Sequence, residues 1–318
     1  MAAGLSRPAW AGARLRWRPA ASAARGSPAE PGRSPRGRRL GYGPGMSRVV
    51  LVTGSTDGIG RAAARALAAG GMKVIIHGRG KGKVDAALAQ LTEELPGAEI
   101  EGVSFDLGSQ KSVRSGAEQL LARLPELHVL VNNAGIFASE RVVTDEGLEL
   151  TFAVNHIGPF LLTELLLPRL LESARAAKIP SRVINVSSIA HTRGRIHQDD
   201  LALSGAWTGY AAYAQSKLAG VMHALTLAER YPPAELLAYS VHPGVIATKL
   251  LRQGFGPIAG ASTDAGARPV VRLAGEEQAS EPSGTYFSES VATPPATAAR
   301  DAQARAALWE ASARLARL

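Results

Sequence analysis

With 318 residues, of which 46% are hydrophobic and 20% charged, the chain has apolar material for one large core, which excludes the disordered and fibrous classes. It contains no cysteine, so disulfides, thiolate nucleophiles and cysteine metal sites are excluded and the redox compartment stays open. Of the net charge of +9, +8 sits in residues 1–45, where nine arginines face the single acid Glu30; the nearly neutral remainder has no basic patch with interleaved aromatics, which sets nucleic acid aside as a partner.

Residues 1–45 are rich in Ala, Arg, Gly, Pro and Ser without sustained periodicity, and are expected to form a leader that builds no core. Abundant arginine with almost no acid resembles a mitochondrial or plastid transit peptide; Met46, just ahead of the first strand, is the alternative start of translation and would leave the protein in the cytoplasm. From Arg48 onward short apolar runs alternate with longer amphipathic segments, the signature of repeated βαβ units. Strands are predicted over 49–53, 73–77, 100–105, 128–132, 182–187 and 236–241, and helices over 61–69, 84–95, 112–124, 159–177 and 210–230. A seventh strand near 284–288 and a closing helix over 296–317 complete one α/β domain at 46–318. It is a doubly wound, mostly parallel seven-stranded sheet with helices on both faces. No uninterrupted apolar run approaches the ~20 residues of a membrane-spanning helix, so no span is expected.

The first strand runs into Thr53-Gly54-Ser55-Thr56-Asp57-Gly58-Ile59-Gly60 and then into a helix, where a nucleotide-binding fold needs its glycine turn. Gly54 permits the tight turn, Gly58 lets the backbone approach a pyrophosphate, and Gly60 lets helix pack on strand. The helix N-terminus faces the anion, and Ser55, Thr56, Asp57 and Ile59 belong to the same cofactor-binding turn. A turn serving chain geometry alone is the alternative. An acid at the end of the second strand would hold the ribose hydroxyls of NAD, but this chain reads His77-Gly78-Arg79 there. A guanidinium cannot accept from a hydroxyl, whereas its planar fork suits a 2′-phosphate, so NADP(H) is preferred and NAD(H) is the second candidate. An exposed loop charge is the other reading of Arg79.

Tyr213-Ala214-Gln215-Ser216-Lys217 lies near the start of a predicted helix, and a spacing of four puts phenol and ammonium on one face. A cation beside the phenol favours the phenolate, which makes a general acid/base near neutral pH. Upstream, Asn185-Val186-Ser187-Ser188 ends the fifth strand at the carboxyl edge of the sheet, where a serine can donate to a developing alkoxide. Asn132-Asn133-Ala134-Gly135 closes the fourth strand. Asn155 sits among apolar neighbours and needs a polar partner, a backbone bond that bends its helix being one. The seven histidines show no spacing with carboxylates that suggests a metal site.

Taken together, the glycine turn, Asp106, Asn132-Asn133-Ala134-Gly135, Asn155, Ser188, Tyr213-x-x-x-Lys217 and Pro243-Gly244 resemble the short-chain dehydrogenase/reductase family in order and spacing, over residues 47–318. The loop from Ser188 to Tyr213, with His191 and Asp199-Asp200-Leu201, is similar to the retinol-dehydrogenase-like branch of carbonyl reductases. The resemblance implies a Rossmann fold and a role for each residue. Tyr213 exchanges the proton, Lys217 lowers its pKa and holds the nicotinamide ribose, Ser188 orients the substrate oxygen, and Asn155 supports a water relay to Lys217. Ser188 is preferred to Ser187, which is expected to face the interior. Asp106 is expected at the adenine, Asn132, Ala134 and Gly135 at the ribose side, and Pro243, Gly244, Val245 and Thr248 at the nicotinamide end.

The expected reaction is hydride transfer between nicotinamide and a carbonyl or alcohol carbon. Phe137, Leu250, Leu251 and Phe255 favour a lipophilic small-molecule substrate over a sugar. A cofactor-binding sensor on the same fold is the alternative outside enzymology, and a double-bond reductase is the enzymatic rival. Association into a homo-oligomer is expected, if anywhere, through the helices at 159–177 and 210–230.

Overall fold

The computed structural model describes residues 48–276 and 280–318, so the leader of residues 1–45 lies outside it. β1 (Val49–Val52) leads to α1 (Gly58–Ala69), followed by β2 (Lys73–Gly78), α2 (Lys81–Glu94), β3 (Ile100–Ser104), α3 (Gln110–Arg123) and β4 (Val129–Asn132). α4 (Leu150–Phe152) passes through a π turn at Ala153–Ile157 into α5 (Gly158–Ala177), and β5 (Ser181–Val186) ends in a 3-10 turn at Ile189–Arg193. The chain continues through α6 (Gly209–Arg230), β6 (Leu236–His242), α7 (Lys249–Phe255), α8 (Thr263–Gly275), β7 (Tyr286–Ser288), β8 (Val291–Ala292), α9 (Thr297–Arg300) and α10 (Ala302–Ala316).

The sheet order is β3-β2-β1-β4-β5-β6-β7-β8. The first seven strands run parallel, as expected, and β8 adds a two-residue antiparallel edge to β7. Continuous apolar runs such as Val49–Val52 are buried throughout because both sheet faces are covered. Alternation divides them: Val49 and Leu51 join a core beneath α3, α5, α6 and α10, whereas Val50 and Val52 join one beneath α1, α2 and α8. Side-chain caps start the helices where the sequence supplies them, with Ser109 before α3, Thr208 before α6, Ser262 before α8 and Asp301 before α10.

The stretch Leu150–Ala177 is apolar and long enough to cross a membrane by composition alone, but 78% of its most apolar window is buried in the fold, as a core helix is. α10 packs against α5 and α6. There the Trp309 ring packs 4.9 Å from Phe160 and 5.7 Å from His223, with the Arg230 guanidinium 4.3 Å above it.

Candidate active site

The strand order reverses between β1 and β4, the crevice where such sheets bind ligands. The β1 end is tied to the β4 end there: Thr53 Oγ1 accepts the Asn133 and Ala134 amides at 3.0 and 3.1 Å, and Asn133 Nδ2 donates to the Thr53 and Gly54 carbonyls at 2.8 and 3.1 Å. Gly54 takes φ +64°, and a Cβ on it would lie 2.7 Å from Ala134 Cα. A Cβ on Gly60 would come within 2.4 Å of the Gly54 carbonyl oxygen, so only glycine lets α1 start this close to the strand. Asp57 caps α1 by accepting the Gly58 amide at 2.8 Å and pairs with Lys249 Nζ at 2.5 Å; that lysine holds its carboxyl below the usual range.

One cleft of about 640 Å³ runs along this edge. Thr56, Gly58, Ile59, Arg79, Asp106, Ala134 and Gly135 line it, as do Ser188, Tyr213, Lys217, Pro243, Gly244, Val245 and Thr248. Gly135 faces Lys217 Nζ, and Thr248 faces Gly58. Arg79 is exposed, while Asp106 Oδ1 accepts the Gly108 amide at 2.8 Å.

Tyr213 is 5% exposed and hydrogen-bonds Ser188; burial pushes its phenol up to about 12, against the opposing pull of that serine. Lys217 is 6% exposed, donates to the Val186 carbonyl at 3.0 Å and stands 5.6 Å from the Tyr213 ring centre. Burial brings Lys217 down to about 8. Desolvation is the largest influence on Tyr213, and the Ser188 hydrogen bond opposes it. Ser187 is buried and donates to the Lys217 carbonyl at 2.9 Å, while also contributing to the cleft lining. Asn155 lies one layer behind the cleft in the π turn: it exchanges bonds with Ile136 N and O at 2.8 and 3.0 Å and donates to Ser216 Oγ at 3.0 Å. Its backbone partner thus lies in the segment after β4, not in its own helix, and Ser216 supplies a side-chain partner.

Two expected cofactor residues are not brought into the cleft. Ser55 is fully buried, donating to the Val52 carbonyl at 2.7 Å and accepting the His77 amide at 2.8 Å, so it braces β1 against β2. Asn132 turns into the core, where Nδ2 donates to Thr163 Oγ1 at 3.1 Å and Asn185 Oδ1 at 3.0 Å. Successive side chains on a strand point to opposite faces, so it is Asn133 that lines the cleft. His77 was the other residue missed: it lines the cleft and holds the turn, accepting the Gly54 amide at Nδ1.

Phe137, Leu250 and Phe255 pack on Tyr213 as an apolar wall, with the ring centres of Phe137 and Phe255 5.6 and 5.9 Å from that of Tyr213. Ile189, Val245 and Ile258 line the cleft with about half their surface exposed. Tyr210 meets Phe255 edge-on at 6.2 Å and does not itself line the cleft.

The family model for the short chain dehydrogenase matches residues 48–255, and the chain belongs to that family. Within it the chain is retinol-dehydrogenase-like: it is 37% identical to Retinol dehydrogenase 12 of Mus musculus over 84% of this chain and 86% of that one. It is 36% identical to Retinol dehydrogenase 13 of Homo sapiens over 84% of each chain. Among solved structures, a short chain dehydrogenase from Salmonella enterica superposes with a TM-score of 0.64 at 25% identity, covering 79% of this chain and 100% of that one. A protein from Escherichia coli CFT073 complexed with NADPH gives 0.63 at 26% identity, covering 77% and 97%. The chain is thus an oxidoreductase of a nicotinamide-using family.

Proposed function

We propose that residues 46–318 form an NADP(H)-dependent reductase that moves a hydride between nicotinamide and the carbonyl or alcohol carbon of a lipophilic small molecule, with Tyr213 as general acid/base. The observation that carries this reading is the convergence of Ser188, Tyr213 and Lys217 with Leu250 and Phe255 in one cleft, with Phe137 packed on Tyr213 beside it. The residues fit the cofactor: α1 points its N-terminal amides into the cleft behind Gly58, and the tip of β2 carries Arg79 where a carboxylate would repel a 2′-phosphate. Asp106, Ala134 and Gly135 would flank the adenosine half, and Pro243, Gly244, Val245 and Thr248 the nicotinamide half. The bound cofactor supplies or accepts the hydride.

Tyr213 donates its proton to the substrate oxygen, Ser188 donates a hydrogen bond to the same oxygen, and Lys217 stands beside the phenol to carry charge and refill it. Asn155 positions the segment in front of Lys217 through Ile136. The relatives' name, retinol dehydrogenase, points to the same apolar substrate class. The test is NADPH oxidation by the full chain with a panel of lipophilic aldehydes and ketones, beside Tyr213→Phe. Turnover that disappears in the variant while NADPH still binds is expected. Tight NADPH binding by both proteins with no turnover on any carbonyl would move the reading to a cofactor-binding sensor.

A further inference from the structure

Ser188 stands just past the end of β5, where the sheet pairing has stopped. The 3-10 turn that follows is five residues long, a kind of turn whose hydrogen bonds are poorly aligned, and its first residue, Ile189, is 52% exposed. The proposed reaction asks much of this serine, whose hydroxyl has to serve the Tyr213 oxygen and the substrate oxygen together. Ser188 Oγ accepts the Ala190 amide at 3.2 Å, which occupies a lone pair and leaves the O–H for Tyr213 and the substrate. The Ser188 carbonyl accepts the His191 amide at 3.1 Å.

His191 anchors this turn to the rest of the domain. The residue is 1% exposed. Its Nδ1 lies 2.8 Å from the Ser188 carbonyl, and its Nε2 accepts the amide of Ala296, 105 positions along the chain, at 3.2 Å. Because Nε2 accepts, the neutral ring carries its proton on Nδ1 and donates it to Ser188. Burial keeps the ring neutral, below its usual range, against the opposing pull of the Ser188 carbonyl. The ring also packs on that of Tyr286 in β7, with centres 4.6 Å apart. At the other end of the turn, a Cβ on Gly194 would come within 2.5 Å of the Ala214 carbonyl oxygen, one residue past Tyr213. The turn that follows Ser188 is thus clamped between α6 and the C-terminal segment. Packing alone does not ask for an imidazole here, since phenylalanine would fill the site against Tyr286; the two bonds do.

We infer that His191 is the positioning residue of Ser188, tying the serine's carbonyl to the Ala296 amide and so fixing where the Ser188 hydroxyl stands relative to Tyr213. This rests on the reductase reading above. His191 does not line the cleft, so it acts on the reaction through Ser188. Its two nitrogens have separate tasks: Nδ1 sets the serine, and Nε2 sets the ring by holding it to the segment after β8. Ala296 and Tyr286 lie outside the cleft lining as well, and through this ring they reach the reacting oxygen.

The experiment uses the full chain with NADPH and an aldehyde from the active panel, and divides the ring into its parts. Asparagine presents an N–H where Nδ1 stands and reaches no further, glutamine presents an acceptor where Nε2 stands and nothing at Nδ1, and phenylalanine keeps the ring without nitrogens. His191→Phe is expected to lower kcat by about tenfold, within the ~10² that misplacing a reacting group by an ångström costs, with the KM for NADPH unchanged. His191→Asn recovers most of the rate, whereas His191→Gln recovers melting temperature and not rate. In a Ser188→Ala background His191→Phe lowers the residual rate no further, because the hydroxyl it would misplace is gone. A wild-type kcat in His191→Phe, a rate in His191→Asn no better than in His191→Gln, or losses that multiply in the double variant would overturn the assignment. If His191→Phe does not fold, the comparison of His191→Asn with His191→Gln decides. A wild type that binds NADPH and reduces no carbonyl removes the reductase reading, and the positioning role with it.

Discussion

The Gly54 amide donates to Nδ1 of His77 at 3.1 Å, so the first peptide of the glycine turn hangs on a side chain of the neighbouring strand. Nε2 of the same ring meets the Phe105 carbonyl at 3.0 Å, which requires a neutral imidazole with its proton on Nε2.

That requirement predicts acid lability. Burial depresses His77 to about 4 from 6.5. Between those values the unfolded chain binds a proton that the folded chain does not, so stability is lost as pH falls through this window and is flat above it. Melting temperature against pH should slope less in His77→Gln than in the wild type. At neutral pH the variant should lose about 1 kcal/mol, because glutamine cannot hold both the half-buried Gly54 amide and the Phe105 carbonyl with the ring's fixed geometry. Parallel slopes would remove His77 from the account.

Arg79 is predicted to set the cofactor. Arg79→Asp should raise the KM for NADPH by at least about tenfold, roughly the loss of one charge-assisted contact, and lower that for NADH. Initial rates with each cofactor measure it; an unchanged preference would assign the 2′-phosphate to another cation.

Asp57 and Lys249 join the glycine turn to the start of α7 across an exposed stretch of the cleft, their side chains 63% and 74% exposed. Such a pair contributes less than about 1 kcal/mol to stability. Its effect should instead fall on the anionic cofactor. Asp57→Asn keeps a competent cap while removing a negative charge beside the helix N-terminus, so NADPH should bind a few-fold tighter, and Lys249→Ala should weaken binding. Both differences should fade as salt is raised in a fluorescence titration.

Trp309 is predicted to be structural. It seals α10 onto α5 and α6 between Phe160 and His223, and Trp309→Ala should cost about 2–4 kcal/mol, within the range for emptying an aromatic site. Urea denaturation reads this directly; a loss within about 0.5 kcal/mol would mean that α10 merely rests on the surface.

Much of this was legible because buried parallel strands and a glycine turn leave strong local patterns. Tyr213 and Lys217 were legible because one helix carries both. The inner partners were harder. Asn132 and Asn133 are adjacent, and the motif does not say which faces the ligand until the register of β4 is known; Ser55 likewise sits in a ligand-binding turn yet serves as a strut. His77 resembles core filler until β2 is laid beside β1. α7 buries none of its residues and so lacked a clear periodic signal, whereas α8 buries Ala267, Val270, Leu273 and Ala274 at helical spacing but was obscured by Pro269 inside it. β8 is two exposed residues at the sheet edge.

The bond between His156 and Ser312 spans 156 positions of sequence, and it gives the fold an order in time. His156 belongs to the π turn that aims Asn155, while Ser312 is carried by the last helix of the domain. As the chain leaves the ribosome, the sheet and the glycine turn can assemble before His156 has met Ser312. Only the arrival of α10 supplies that partner, so a nascent chain should bind nucleotide before the π turn is fully braced.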